Sequence, residues 1–166
     1  MPNSFGSHLS RTIRFAAVVT MAVGGAALGV GVASAAPVTC SSPLSPNDIQ
    51  VSDMASCGAQ ATGTGTASAS ATESGTAVSV ADQAGSATSY ATGFGTALSA
   101  ALGGGNSYAV SIGGGISRSE ATGGITTIAV AGYGAGATAE AGGVDCVGVN
   151  SFALNLSTGR ACIAGM

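Results

Sequence analysis

The chain has no lysine and no tryptophan, and its 166 residues include one histidine, His8. Charged side chains make up 7% of it and aromatic ones 4%. His8, Arg11 and Arg14 all fall in the first 35 residues, which read as a cleaved export signal; 166 less 35 leaves 131 residues. That remainder sets two cations, Arg118 and Arg160, against seven acids, Asp48, Asp53, Glu73, Asp82, Glu120, Glu140 and Asp145, a net charge of −5. Without histidine or lysine there is no imidazole base, no imidazole zinc ligand and no Schiff-base amine. Two scattered arginines cannot neutralise the several phosphates of a nucleic-acid footprint, so nucleic acid is not an expected partner. Proline is absent after Pro46, which suits an unbroken hydrogen-bonded ladder.

What is present begins with the export signal. Arg11 and Arg14 form a positive n-region, Phe15 to Val32 is apolar and small, and Ala33-Ser34-Ala35 supplies the small residues read by signal peptidase. Cleavage is expected after Ala35, giving a secreted chain, extracellular or in the cell envelope, with no membrane insertion once the signal is removed. At this size one domain is the default. Four cysteines remain, Cys40, Cys57, Cys146 and Cys162, two near each end. An even number in an exported protein points to two disulfides. Three pairings are open; Cys40 with Cys57 and Cys146 with Cys162 is favoured, since each closes a short loop and clamps one end of the domain.

Between the cysteines lies a repeat of period ten. From Gly65 the blocks read GTASASATES, GTAVSVADQA, GSATSYATGF, GTALSAALGG, GNSYAVSIGG, GISRSEATGG, ITTIAVAGYG and AGATAEAGGV. Positions three, five and seven are always Ala, Ser or Thr, whereas four and six vary through Val, Leu, Tyr, Ile, Arg and Glu. This alternation of period two predicts strands, not helices. Glycine dominates positions nine, ten and one and marks the turns.

Chain reach limits the stacking. A seven-residue strand spans about 23 Å and three residues return only about 10 Å, so one block cannot close a coil. Two blocks can. The expected fold is all-β: a two-sheet β-solenoid of four 20-residue coils over residues 65–144, small face inward and sheets closer than usual. An antiparallel meander or sandwich is the alternative. Disorder is a third expectation, because Val, Ile, Leu and Phe number only 22 of the 131 residues.

The domain organisation read from the chain is a signal at 1–35, an N-terminal cap loop at 36–60, the repeat at 61–144 and a C-terminal cap hairpin at 145–166. Ser157-Thr158-Gly159-Arg160 supplies the hairpin turn, and Phe152, Leu154 and Leu156 are expected to plug the open end. The short Ala/Ser strands broken by glycine resemble the β-roll head repeats of trimeric autotransporter adhesins, without a coiled-coil stalk. The whole layout is similar to small secreted Ala/Gly/Ser-rich proteins of uncharacterised function from mycolic-acid-containing actinobacteria. That resemblance implies export and supplies no active site.

Three features could carry chemistry. Glu120 and Glu140 hold position six one coil apart and should stack on an outer face about 4.8 Å apart beside Arg118, a candidate calcium or hydrolase pair. Position two reads Thr66, Thr76, Ser86, Thr96, Asn106, Ile116, Thr126 and Gly136, an interrupted hydroxyl column of the kind found on ice-binding faces. Tyr90, Tyr108, Val110, Ile128 and Val130 fall in alternate blocks and should share one outer face, a candidate surface for self-association or for a protein or envelope partner, unless the flanks cover it. The expected function is a non-catalytic, adhesin-like structural or interaction protein needing no cofactor; a carboxylate hydrolase and a disordered envelope chain are the alternatives.

Overall fold

Alternating small and variable residues build fourteen β-strands and no helix among the described residues, 36–42 and 47–165, of a computed structural model. The segment read as an export signal lies outside them. In chain order the strands are β1 (Val38–Ser42), β2 (Asn47–Val51), β3 (Ser56–Ala61), β4 (Thr66–Ala71), β5 (Thr76–Asp82), β6 (Ser86–Thr92) and β7 (Thr96–Leu102). They continue with β8 (Asn106–Ile112), β9 (Ile116–Thr122), β10 (Thr126–Ala131), β11 (Gly136–Ala139), β12 (Val144–Val147), β13 (Ser151–Asn155) and β14 (Arg160–Ala164). They form two seven-stranded sheets, the first ordered β1-β4-β6-β8-β10-β13-β14 and the second β12-β11-β9-β7-β5-β3-β2.

Odd and even strands of the repeat therefore lie in opposite sheets, and each pairs in parallel with the strand one coil away. Thr66 faces Ser86, and Thr76 faces Thr96, an offset of twenty residues that holds from β3 to β11. This is the two-block coil, a β-solenoid of about four turns. The repeat begins one block earlier than its glycines suggest, because Ala55, Cys57, Ala59 and Ala61 already occupy the inner positions and β3 pairs in parallel with β5. Cysteine at position three hides that block from a search for Ala, Ser and Thr.

The core is thin. Its buried apolar residues are alanines and two cysteines, interspersed with buried serines. Ser79 Oγ lies 2.7 Å from Ser89 Oγ and donates to the Ser68 carbonyl at 2.5 Å; Ser99 Oγ donates to the Ser107 carbonyl at 2.8 Å. One serine side chain thus reaches from one sheet to the backbone of the other, which places the sheets well inside the ~10 Å of ordinary sheet packing. Hydroxyls buried this deep need partners, and inter-sheet bonds supply them to several, as again between Ser119 and Thr127 at 2.9 Å, whereas Ser42 and Ser117 Oγ have none among the described residues.

Glycine has two distinct roles in the repeat. Positions nine and ten take left-handed backbone, as in Gly103 (φ 57°) and Gly104 (φ 80°), and Gly105 N–H closes the turn on the Leu102 carbonyl at 3.1 Å. Position one is not a turn residue of this kind. A β-carbon on Gly75 would lie 2.5 Å from the Ala91 carbonyl oxygen of the opposite sheet, and one on Gly85 would lie 2.2 Å from that of Ala101. At these crossings only glycine fits, whereas in the last two blocks Ile125 and Ala135 take the same position.

The N-terminal flank forms strands, not the expected loop. At the N-terminal end β1 pairs antiparallel with β4, and β2 with β3, so each reverses the coil direction and ends it. Polar side chains of β2 then tie the two edges together. Ser41 N–H donates to Asp48 Oδ2 at 3.0 Å and Gln50 Nε2 to the Thr39 carbonyl at 2.9 Å. At the other end β12 pairs antiparallel with β11, and β13 with both β10 and β14. The turn between β13 and β14 spans Leu156–Gly159, as its Ser-Thr-Gly composition implies. Disulfides Cys40–Cys57 and Cys146–Cys162 each join a strand of one sheet to a strand of the other, the pairing that loop length favours.

One expectation fails here. Phe152 and Leu154 do not plug the open end; they point outward, and Leu156 is exposed. The inward set is Ser151, Ala153 and Asn155, which continues the small-residue column of β10. Asn155 is fully buried and closes the end with polar bonds: Nδ2 donates to the Glu140 carbonyl at 2.9 Å, and Oδ1 accepts from Ser157 and Thr158 N–H at 3.1 Å. A slot this thin has no room for phenylalanine.

Candidate interaction surface

Because the small residues turn inward, every variable residue of the repeat stands on one of two outer faces. On the first sheet, register sets Thr88 beside Tyr108, Tyr108 beside Ile128 and Ile128 beside Leu154. The neighbouring column runs Tyr90, Val110, Val130, Phe152 and Ile163. All five residues expected to share a face do so. The face is graded along the axis: β4 contributes only Thr66, Ser68 and Ser70, whereas the strands from β8 onward contribute mostly aliphatic and aromatic side chains.

Sequence reasoning placed five residues here and missed three, Phe152, Leu154 and Ile163. Their signal was the continuation of the same alternation into the C-terminal flank, with Ser151, Ala153 and Asn155 as the inner set. The described strands of the N-terminal flank, β1 and β2, are edge strands at the far end of the sheets, away from the patch. Tyr90 and Tyr108 keep about two fifths of their surface exposed, at 41% and 40%, and Ile163 keeps 66%. An apolar surface so continuous on a sheet face is unusual for a chain that stays alone in water.

The second sheet's outer face is divided. Towards the N-terminal end, Ile49, Val78 and Val80 border a trough of about 330 Å³, open because Gly58 has no side chain there. Towards the other end stands the acidic pair. Arg118 Nη2 lies 3.0 Å from Glu120 Oε2, and Nη1 lies 3.1 Å from Glu140 Oε1. One guanidinium holds both carboxylates on a solvated strand surface, where such pairs add little stability. The shallow trough beside it is lined by Val78, Val80, Leu98, Arg118 and Glu120, without Glu140. Among the described residues no three His, Cys, Asp or Glu side chains group to hold a metal ion.

The hydroxyl column divides too. Thr66, Ser86, Asn106 and Thr126 lie on the first sheet, while Thr76, Thr96, Ile116 and Gly136 lie on the second. Alternate blocks face opposite directions, so no single flat hydroxyl array forms.

Fold and surface together define a two-sheet β-solenoid, capped at both ends by reversed strands and a disulfide, that presents one apolar outer face. Residues 5–165 match a family described as a family of unknown function (DUF6764), and the chain belongs to that family. No curated protein and no solved structure matches it. The two disulfides are those of an oxidising environment. No helix among the described residues is long and apolar enough to cross a membrane.

Proposed function

We propose that the protein is a secreted or cell-surface structural and interaction module, non-catalytic and adhesin-like, which associates through the outer face of its first sheet. The observation that carries this reading is the graded apolar face, running from Tyr90 to Ile163 and left open by both flanks. Aromatic and aliphatic side chains on a rigid sheet lose little conformational entropy on burial, which suits them to a contact surface. The ladder behind them, parallel from β6 to β10 and antiparallel on to β13 and β14, holds the face in place without a partner. Self-association and attachment to an envelope component both use this surface chemistry.

Sedimentation velocity over a wide concentration range, together with retention on isolated cell envelopes, tests the proposal. The folded chain should associate in one assay or both. Ile128→Glu and Phe152→Glu should abolish that association and leave the far-ultraviolet circular dichroism unchanged, since both side chains point to solvent. A wild-type chain that stays monomeric and is not retained, or variants that behave like wild type, would overturn it.

A further inference from the structure

The turns at one edge of the solenoid stack coil upon coil and follow β4, β6, β8 and β10. Phe94 N–H donates to the Glu73 carbonyl at 3.2 Å and Gly113 N–H to the Thr92 carbonyl at 3.0 Å, so successive turns are locked in register. Half of these turn positions are glycine. Three of the others, Glu73 at φ 48°, Ser74 at φ 69° and Phe94 at φ 67°, hold left-handed backbone that L residues adopt only at a cost. The aromatic ring of Phe94 stays 76% exposed, and Tyr133, in the turn after β10, stays 72% exposed.

These side chains border an open cleft. The Tyr133 ring lies across Gly113, where a β-carbon would come within 2.2 Å of it, so the glycine seats the ring over the turn below. Together Glu73, Thr92, Phe94, Ile112, Gly113 and Tyr133 line a cleft of about 380 Å³. Thr92 Oγ1 donates to Glu73 Oε2 at 3.1 Å and holds that carboxylate beside the cleft. Among the described residues no cation answers its charge. Both arginines of the described residues are engaged elsewhere, Arg118 with Glu120 and Glu140, and Arg160 with the Gly142 carbonyl at 2.7 Å.

We propose that this cleft binds an alkylammonium group, held against the rings of Phe94 and Tyr133 and beside the Glu73 carboxylate. Ring faces carry negative quadrupole charge and attract cations whose hydration is weak, and a fixed carboxylate adds a directed countercharge. Methylated, and above all quaternary, ammonium fits both demands; an anion fits neither. The site is separate from the sheet face of the proposed association and stands or falls independently of it.

Amide NMR of the oxidised, folded chain tests this by titration with choline chloride and tetramethylammonium chloride against matched sodium chloride. The control is the uncharged isostere of choline in which carbon replaces the quaternary nitrogen. Saturable shifts at residues 73, 92–94, 112–113 and 133 are expected with both cations, and binding roughly tenfold weaker for the isostere. Phe94→Gly and Glu73→Gln should each weaken choline binding several-fold, and Phe94→Gly also relieves the left-handed backbone, so that variant should fold at least as well as the parent. Phosphatidylcholine vesicles form a second arm: co-sedimentation with them assigns the group to a lipid headgroup, and choline binding without it assigns a free ligand. No saturable shift with either cation, equal binding of the isostere, or unchanged binding by both variants would overturn the proposal.

Discussion

A β-carbon at Gly85 would sit 2.2 Å from the carbonyl oxygen of Ala101, whereas one at Gly124, in a turn, would meet nothing within 4 Å but has φ +81°. The same residue type is thus required for different reasons, and substitution separates them. Gly85→Ala should lower unfolding free energy by about 3 kcal/mol, since rigid backbone must move. Gly124→Ala should cost about 1 kcal/mol, from the left-handed backbone alone. Urea denaturation of both variants measures the difference, and equal losses would contradict it. Ala84 is the converse case, a non-glycine at φ 66°. Ala84→Gly should raise stability by about 0.5 kcal/mol, the relieved strain outweighing the added freedom of the unfolded chain.

The strands of the coils were legible because their inner and outer residues differ in kind at a period of two. The cap strands were harder to read. Residues 36–60 carry three prolines and no period, yet β1, β2 and β3 form there. The strands β1 and β3 pair with β4 and β5 of the repeat, and β2 pairs with β3, so little in the local sequence announces them. The caps must hold the two sheets together where the ladder ends, and the disulfides do this directly: Cys146 of β12 is bonded to Cys162 of β14 across the sheets. Replacing both with alanine should cost about 3 kcal/mol, the entropy of freeing a loop of sequence separation 16. Thermal melting in oxidising buffer measures this, and reductant should move the parent in the same direction and leave that variant's C-terminal end unaffected.

At the scale of the molecule, stability is close to a sum over coils and their neighbours. Removing residues 75–94 deletes one whole coil and joins β4 to β7, which lets β7 pair with β3, and β8 with β4, in the register their deleted counterparts used. The shortened chain should keep a β spectrum and a cooperative melt at lower temperature. Loss of cooperative melting would show that the coils are not equivalent. The outer faces do not share this equivalence. The first sheet runs from hydroxyl-rich at β4 to apolar at β13, and the second from apolar near β3 to charged near β11. Each face has a direction although the ladder behind it is uniform.

By itself the sequence determined the strands, the inward face, the two-block coil and the side on which Tyr90, Tyr108, Val110, Ile128 and Val130 stand. All of these follow from alternation and chain reach, which are local properties. Tertiary structure alone decided what depends on the neighbouring coil or the opposite sheet. The crossing glycines answer to a carbonyl sixteen residues away, and Asn155 closes the end because Phe152 and Leu154 cannot enter so thin a slot. Arg118 gathers Glu120 and Glu140, and Glu73, Phe94 and Tyr133 meet only because their turns stack. A repeat of period ten sets where each residue faces, and the stacking of coils sets what it touches.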